Sequence, residues 1–233
     1  MIFLYSKTLY WLYLNVGNLA VFFLLILTIY TIWNRNFVKE EYRVFYFLLI
    51  GYFSIEIFTA LLPYFGVKNT IFINYLYSTF ALVVSTIFYF RFLKLKKSIS
   101  NIYLALIGVY IFGSLFQLYR EPWPPTSPKL FPLKNLITLS LTLFTLKNLY
   151  NSPKVKTLTN EPIHWINLGF LLFNISNLIL VPLFSAAIPI SDDLAFIIGI
   201  ISSLVDPIAY TLWAIGIYKL TKKPFRPVAS LWP

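Results

Sequence analysis

Residues 8–33 read TLYWLYLNVGNLAVFFLLILTIYTIW and contain no charged side chain. A helix needs about 20 consecutive, mostly apolar residues to cross the hydrocarbon core of a bilayer. This stretch exceeds that length, so it predicts a membrane-spanning helix and sets the class of protein to which the chain belongs.

Further runs of the same kind follow along the rest of the chain, giving seven predicted spans. Their approximate bounds are 8–33, 43–65, 70–92, 100–118, 130–149, 162–188 and 193–219. The connectors between them are too short to hold a soluble domain. The sequence therefore predicts an all-α integral membrane protein, a seven-transmembrane-helix bundle that forms a single domain over residues 1–233.

The composition excludes several classes of protein. Of the 233 residues, 59% are hydrophobic and 12% are charged, whereas soluble domains are about 45–50% apolar. The chain has no cysteine and one histidine, which excludes disulfide modules, thiolate metal sites and bis-histidine haem. Nucleophile-elbow, zinc-protease and phosphate-loop motifs are missing from the sequence. We therefore expect no enzyme activity, no cofactor and no metal.

The basic residues predict an orientation. Of the 19 lysines and arginines, 14 lie in the segments 34–43, 91–99, 147–160 and 219–226. The other five are Lys7, Lys68, Arg120, Lys129 and Lys134. Cytoplasmic loops of membrane proteins carry an excess of lysine and arginine. This pattern predicts an outside N-terminus and a cytoplasmic C-terminus, in the inner membrane if the source is bacterial.

The same basic segments indicate the partners. The topology accounts for most of the net charge of +11, and anionic lipid headgroups are the expected counter-charge at the inner loops. The basic residues are spread over separate short segments, so no nucleic-acid partner is predicted. The tail 221–233 mixes basic and aromatic residues. It suits either docking on the membrane surface or binding a protein partner in the membrane or the cytoplasm.

Two acidic residues fall inside predicted spans, Glu56 in the second and Asp206 in the seventh. An ionisable residue in the hydrocarbon is costly and is a functional hypothesis by default. No lysine or arginine is expected at matching depth, so the acids would bind a proton, a cation, or a ligand amine or hydroxyl. Pro207 removes a backbone donor beside Asp206, which predicts a hinge. A purely structural role for the two acids is the alternative.

Other polar residues recur at helical spacing, and we expect these faces to turn inward. The faces are Tyr52-Glu56-Thr59, Asn74-Ser78-Ser85-Tyr89, Asn167-Asn174-Asn177, Ser202-Asp206-Tyr210-Trp213, Trp11-Asn15-Asn18 and Asn135-Thr138-Thr142-Thr145. The predicted ligand or cation site combines Glu56, Asn74, Asn174, Asn177, Asp206 and Tyr210. The alternative is that the asparagine, serine and threonine side chains only bind helices together.

Two resemblances are visible. Asp206-Pro207-Ile208-Ala209-Tyr210 resembles the (Asn/Asp)-Pro-x-x-Tyr element of rhodopsin-like receptors. The third span ends Phe88-Tyr89-Phe90-Arg91 instead of Asp/Glu-Arg-Tyr, so we interpret this likeness as convergence. The chain as a whole resembles uncharacterised bacterial seven-span membrane proteins of similar length. That resemblance is carried by Ile55-Glu56, Asn69–Tyr77, Pro162–Trp165 and Tyr210–Gly216, and it implies no activity.

The leading hypothesis is a non-enzymatic, receptor-like or sensory membrane component. It would bind a small ligand, lipid or cation in a polar intramembrane cavity and signal through its cytoplasmic loops to a partner. The alternatives are a structural subunit of a larger membrane complex and a small-solute or proton-coupled transporter.

Overall fold

Seven long α-helices account for most of the chain in a computed structural model. The described residues are 2–34, 40–66, 71–93, 95–120, 129–152, 155 and 157–222. The helices are α1 (Ile2–Trp33), α2 (Glu40–Leu61), α3 (Ile71–Leu93), α4 (Lys97–Arg120), α5 (Phe131–Tyr150), α6 (Pro162–Ala187) and α7 (Asp192–Lys222). Short 3-10 helices follow α2 and precede α6. No strand occurs among these residues.

Six of the helices are long and apolar enough to cross a membrane, which identifies the chain as an integral membrane protein. The exception is α5, because its lysines, asparagines and threonines lower its mean hydropathy. All seven predicted helices are confirmed to within a few residues at most ends, the main exception being the start of α1. The crossing of a membrane by α5, and with it the full seven-span topology, stays a prediction.

The helices form a ring with one member outside it. Neighbours around the ring are α1, α2, α3, α5, α6 and α7, and α7 closes it against α1. The most extensive contact joins α6 to α7. Helix α4 lies outside the ring against α3 and α5. The least apolar helix, α5, is therefore a member of the ring, and the more apolar α4 lies outside it.

Aromatic side chains fill the centre of the ring around Trp213 of α7. The indole of Trp213 is fully buried, lies 5.6 Å from the ring of Phe45 and 5.1 Å from that of Phe170, and donates to the carbonyl of Ile166 at 3.1 Å. A Cβ at Gly169 would collide with this indole. Glycine at that position therefore lets α6 and α7 approach closely enough to bury Trp213.

The outer surface is rich in large apolar side chains. Phe112, Leu115 and Phe116 of α4 are all more than half exposed, and similar residues cover α1 and α7. In water such an area would be unfavourable, but hydrocarbon solvates it. The exposure of α4 agrees with its place outside the ring.

The inward turn of the polar faces is confirmed for some helices and wrong for others. Asn135, Thr138, Thr142 and Thr145 of α5 are all buried. In contrast, Asn15 and Asn18 of α1 and Asn74 of α3 are exposed. The Asn15 amide donates to the Trp11 carbonyl of its own helix at 2.7 Å. Asn74 lies in the first turn of α3, where an amide has no need of an interior partner.

Helix α7 continues without a break through Pro207, from Asp192 to Lys222. The proposed hinge therefore lies in continuous helix. The carbonyl of Pro207 accepts a hydrogen bond from the Thr211 hydroxyl at 2.7 Å. The basic tail predicted to dock on the membrane lies outside the described residues beyond Lys222.

Candidate functional site

The two intramembrane acids lie within electrostatic range of each other. Glu56 projects from α2 and Asp206 from α7, and both side chains are partly buried. In the described part of the chain, neither carboxyl group forms an ion pair with a lysine or arginine. The bundle therefore brings together two acids that lie far apart in the sequence and gives them no basic partner.

Three tyrosines complete this group. Tyr52 precedes Glu56 by four residues on α2, and Tyr210 follows Asp206 by four on α7, so each tyrosine lies on the same helix face as its acid. Tyr77 joins them from α3 and is within electrostatic range of both acids. We call these five residues the acid–tyrosine cluster.

A direct contact between two tyrosines ties the cluster together. The rings of Tyr52 and Tyr77 pack against each other with centroids 4.9 Å apart. The ring of Tyr210 lies 5.5 Å from that of Trp213, which connects the cluster to the aromatic core. The members of the cluster thus come from α2, α3 and α7, so a change in the charge of the acids acts on side chains of all three helices.

The chemistry of the cluster favours a small positive ligand. Two carboxylates near each other repel when both are ionised, and protonation of one or binding of a cation relieves that repulsion. Tyrosine hydroxyl groups can donate to a carboxylate and can also accept from, or ligate, a cation. Hard cations prefer oxygen ligands of this kind.

A buried lysine lies on α5, close to the cluster. The Lys134 side chain is 2% exposed, and its Nζ has no hydrogen-bond partner among the described residues. Its ammonium lies 4.5 Å from the centre of the Phe131 ring and 5.8 Å from that of Phe173. The charge pattern of the sequence groups Lys134 with the residues of the outer connectors, but the structure places its side chain inside the bundle.

The aromatic contacts offset only part of the cost of this burial. A desolvated cation–π contact contributes about 2 kcal/mol, whereas burying an ammonium without a partner costs several kcal/mol. The ammonium also lies in the first turn of α5, where the helix dipole is positive and no acidic residue occurs. The first turn of α5 therefore offers Lys134 no negative charge.

A small cavity opens beside Lys134 and has room for about one water molecule. Its polar lining comes from Tyr52, Ser85, Lys134, Thr138 and Asn174. Tyr52 belongs both to this lining and to the acid–tyrosine cluster. The two polar regions are therefore adjacent, and one side chain is common to both.

Other buried polar groups bond across the helices. The Tyr89 hydroxyl bonds to Thr142 Oγ1 at 2.8 Å and donates to Asn167 Oδ1 at 2.9 Å, which links α3, α5 and α6. Tyr110 of α4 donates to Ser78 Oγ at 2.7 Å. These contacts do what polar residues do in many membrane bundles, which is to bind helices together.

The structure brings some of the predicted site residues together and leaves others apart. Glu56, Asp206 and Tyr210 share one cluster. Asn174 is buried and lines the adjoining cavity, and its amide donates to the Phe170 carbonyl at 2.7 Å. Asn177 is partly buried and donates to its own helix, at the Phe173 carbonyl. Asn74 is exposed on α3 and is not among the residues that line the adjoining cavity.

A second, larger cavity lies elsewhere. It has a volume of about 560 Å³ and is lined by Gly113, Phe116, Gln117, Arg120, Lys129 and Leu130, at the end of α4 and just before α5. None of the predicted site residues lines it. It therefore adds nothing to the predicted site.

Sequence reasoning missed two contributors to the site, Tyr77 and Lys134. Tyr77 carried no signal, because it falls one residue before Ser78 on a helix rich in tyrosine. Lys134 did carry one. It is followed at helical spacing by Thr138, Thr142 and Thr145, so it continues the polar face that turns inward.

No protein-family model matches the sequence, and neither a curated protein nor a solved structure matches it. The likeness to bacterial seven-span proteins stays a prediction for that reason. Support for a function therefore comes from the geometry of the site.

Proposed function

We propose that this chain is a non-enzymatic, receptor-like or sensory membrane component that binds a small cation, of which the proton is the simplest, at its acid–tyrosine cluster. Binding at Glu56 and Asp206 changes the packing of α7, and the change passes to a partner through the cytoplasmic loops. The whole chain acts as one seven-span domain with an outside N-terminus and a cytoplasmic C-terminus.

The observation that carries this proposal is the approach of two acidic side chains without a basic partner in the described part of the chain. Structural acids in membrane helices are normally paired with a base or with several donors. Here the surrounding groups within electrostatic range are Tyr52, Tyr77 and Tyr210, which are neutral. A bound cation or a shared proton would relieve the repulsion between the two carboxylates.

The size of the adjoining space supports a monatomic ligand over an organic one. The cavity bordered by Tyr52 has room for about one water molecule. Sites for drug-sized ligands are typically about 300–1,000 Å³. A lipid or organic ligand would require the helices to separate, whereas a proton or small cation would not.

The route to the cytoplasmic side is α7 itself. This helix carries Asp206 near its middle and Lys219 and Lys222 in its last turn. Pro207 lacks the backbone N–H that would hold the preceding turn, so α7 bends more easily there than elsewhere. We propose that neutralising Asp206 alters this bend and moves the basic end of α7 relative to the inner loops and to anionic headgroups.

Trp213 offers the test, because its ring lies 5.5 Å from Tyr210 and 6.2 Å from Tyr52. Purified protein in a mild detergent would be titrated with protons, Na⁺, K⁺ and Ca²⁺ while tryptophan emission is recorded. We expect a saturable change that Trp213→Phe abolishes and that Glu56→Gln with Asp206→Asn removes. An emission that is flat for every cation, or a change that survives both substitutions, would contradict the proposal.

The two alternative functions are a structural subunit and a transporter. A structural subunit is favoured by the large exposed apolar side chains of α4, which a neighbouring protein could cover as well as lipid. A transporter would use the same acids to couple movement of a solute to that of a proton. Native mass spectrometry in a mild detergent tests for a protein partner, and a stoichiometric partner favours a subunit or a signalling component. Flux measured in liposomes without a partner favours a transporter.

A further inference from the structure

We propose that the cavity beside Lys134 binds a single small monatomic anion of the size of chloride. This site adjoins the acid–tyrosine cluster through Tyr52, and it does not depend on the function proposed for the two acids. Its ligand has the opposite charge, and its key side chain comes from α5, which contributes nothing to the acid pair.

The first argument is the unpartnered charge. Lys134 is 2% exposed, and its Nζ lacks a hydrogen-bond partner in the described part of the chain. A buried ammonium in a native protein is normally paired. With no partner from the described residues, an anion from solution is the simplest one.

The second argument is the local field. Lys134 lies in the first turn of α5, which contains no acidic residue. The unpaired N–H groups of a helix N-terminus produce a positive potential and favour anions. The helix and the ammonium therefore act in the same direction, and both favour a negative charge at this level of the bundle.

The third argument is the lining of the cavity. The cavity has room for about one water molecule, and chloride is larger than water, so a chloride ion fits when the lining side chains move apart slightly. The hydroxyls of Ser85 and Thr138 bond to carbonyls of their own helices at 3.1 Å, whereas Thr142 and Thr145 bond at 2.8 Å. The two longer bonds are the weaker ones, so these hydroxyl groups can turn to donate to an anion.

The class of ligand follows from these features. Carboxylates and phosphates are too large for the cavity, and a cation would be repelled by Lys134. Fluoride is strongly hydrated and loses that hydration at high cost. Chloride and bromide therefore fit best, with the ammonium as the charged donor and the Tyr52, Ser85 and Thr138 hydroxyl groups as neutral donors.

The test measures thermal unfolding of the purified protein in a mild detergent. Sodium gluconate would be replaced by sodium chloride, and separately by sodium bromide, at constant ionic strength. We expect a saturable rise of a few degrees in Tm for the wild type, because a ligand that binds only the folded state stabilises it. Lys134→Met should abolish the rise, and Lys129→Met, which removes an exposed lysine nearby, should leave it intact.

A second variant and a direct binding measurement test the proposal even if Lys134→Met does not fold. Ser85→Ala should keep the fold and shift the chloride midpoint to concentrations several-fold higher. Broadening of the chloride NMR line by wild-type protein, reversed by bromide, would report binding without reference to stability. The proposal would be overturned if chloride changed neither the Tm of the wild type nor the width of the chloride NMR line. An unchanged midpoint of the chloride titration in Ser85→Ala would also overturn it.

The two sites can be told apart experimentally. The chloride response should persist in the double variant Glu56→Gln with Asp206→Asn, because those residues do not line the cavity. Loss of the chloride response in that variant would show that the anion acts through the acid pair. That result would overturn the separate anion site while leaving the cation proposal open to its own test.

Discussion

The ring of Tyr52 lies against the ring of Tyr77 with centroids 4.9 Å apart. Tyr52 also lines the cavity at Lys134. One side chain of α2 thus contacts α3 in the acid–tyrosine cluster and borders the lysine of α5. This position makes Tyr52 the residue through which the two polar regions of the bundle meet.

Removing only the Tyr52 hydroxyl tests this position. Tyr52→Phe keeps the ring contact with Tyr77 and removes the hydroxyl group of a buried tyrosine, so we expect a loss of up to about 1 kcal/mol of stability. The cation response of Trp213 emission should also shift to higher concentrations. Thermal unfolding and the emission titration measure these effects. Tyr119→Phe, at a ring that is 84% exposed, serves as the control.

The hydroxyl of Tyr89 is expected to matter more for stability than for binding. Tyr89→Phe removes the bonds to Thr142 and Asn167, and it leaves the buried Asn167 oxygen without its donor. We expect a loss of about 1–2 kcal/mol with an unchanged cation midpoint. Tyr103→Phe deletes a more exposed bond, to Ser140, and should cost much less. Equal losses in the two variants would argue against a structural role for Tyr89.

The approach of α6 to α7 depends on Gly169. A Cβ there would collide with the Trp213 indole and lie 3.0 Å from the Ala209 carbonyl. Gly169→Ala should therefore destabilise the protein by about 1–3 kcal/mol, as overpacking does. A Cβ at Gly108 of α4 would meet no atom within 4 Å. Gly108→Ala should stabilise its helix by about 0.5–1 kcal/mol, so opposite shifts in Tm are expected.

The predicted orientation is testable because the chain has no cysteine of its own. Ser98→Cys places a thiol in the first turn of α4, within the basic segment 91–99, and Tyr64→Cys places one in the 3-10 helix just after α2. An impermeant maleimide should label the second from outside intact cells and the first only after the membrane is opened. Labelling of both variants from the same side would contradict the seven-span topology.

Helix positions were predictable because membrane spans are long, apolar and separated by polar connectors. The bounds of α6, Pro162–Ala187, differ from the prediction by one residue. The proximity of Glu56 to Asp206 was harder to predict from the sequence, because it depends on how side chains of α2 and α7 meet across the ring. The sequence showed that both acids lay in predicted spans, and it did not show that α2 and α7 bring them near each other.

Two features of the site could not be predicted from helical spacing alone. Lys134 lies in the first turn of α5, yet it shares a cavity with Asn174 near the middle of α6. The depth at which a helix starts depends on its neighbours, and a count from the span ends does not give it. Asn74 shows the opposite case, a residue predicted to face inward that is exposed. The periodic face to which it belongs is buried at Ser78 and exposed at Asn74.

The repulsion between Glu56 and Asp206 is the central claim, and the dependence of stability on protons and cations tests it most directly. Tm would be measured from pH 5 to pH 8 in buffers without metal ions, then with Na⁺, K⁺ or Ca²⁺ added. His164→Gln and Asp192→Asn serve as controls for the histidine at the start of α6 and for an exposed acid.

In the wild type, raising the pH ionises both carboxyl groups and lowers Tm by a few degrees, and a bound cation restores it. The double variant Glu56→Gln with Asp206→Asn has a higher Tm at pH 8 and responds to neither change. A wild-type Tm that ignores pH and cations, or a response that survives in the double variant, would contradict the account.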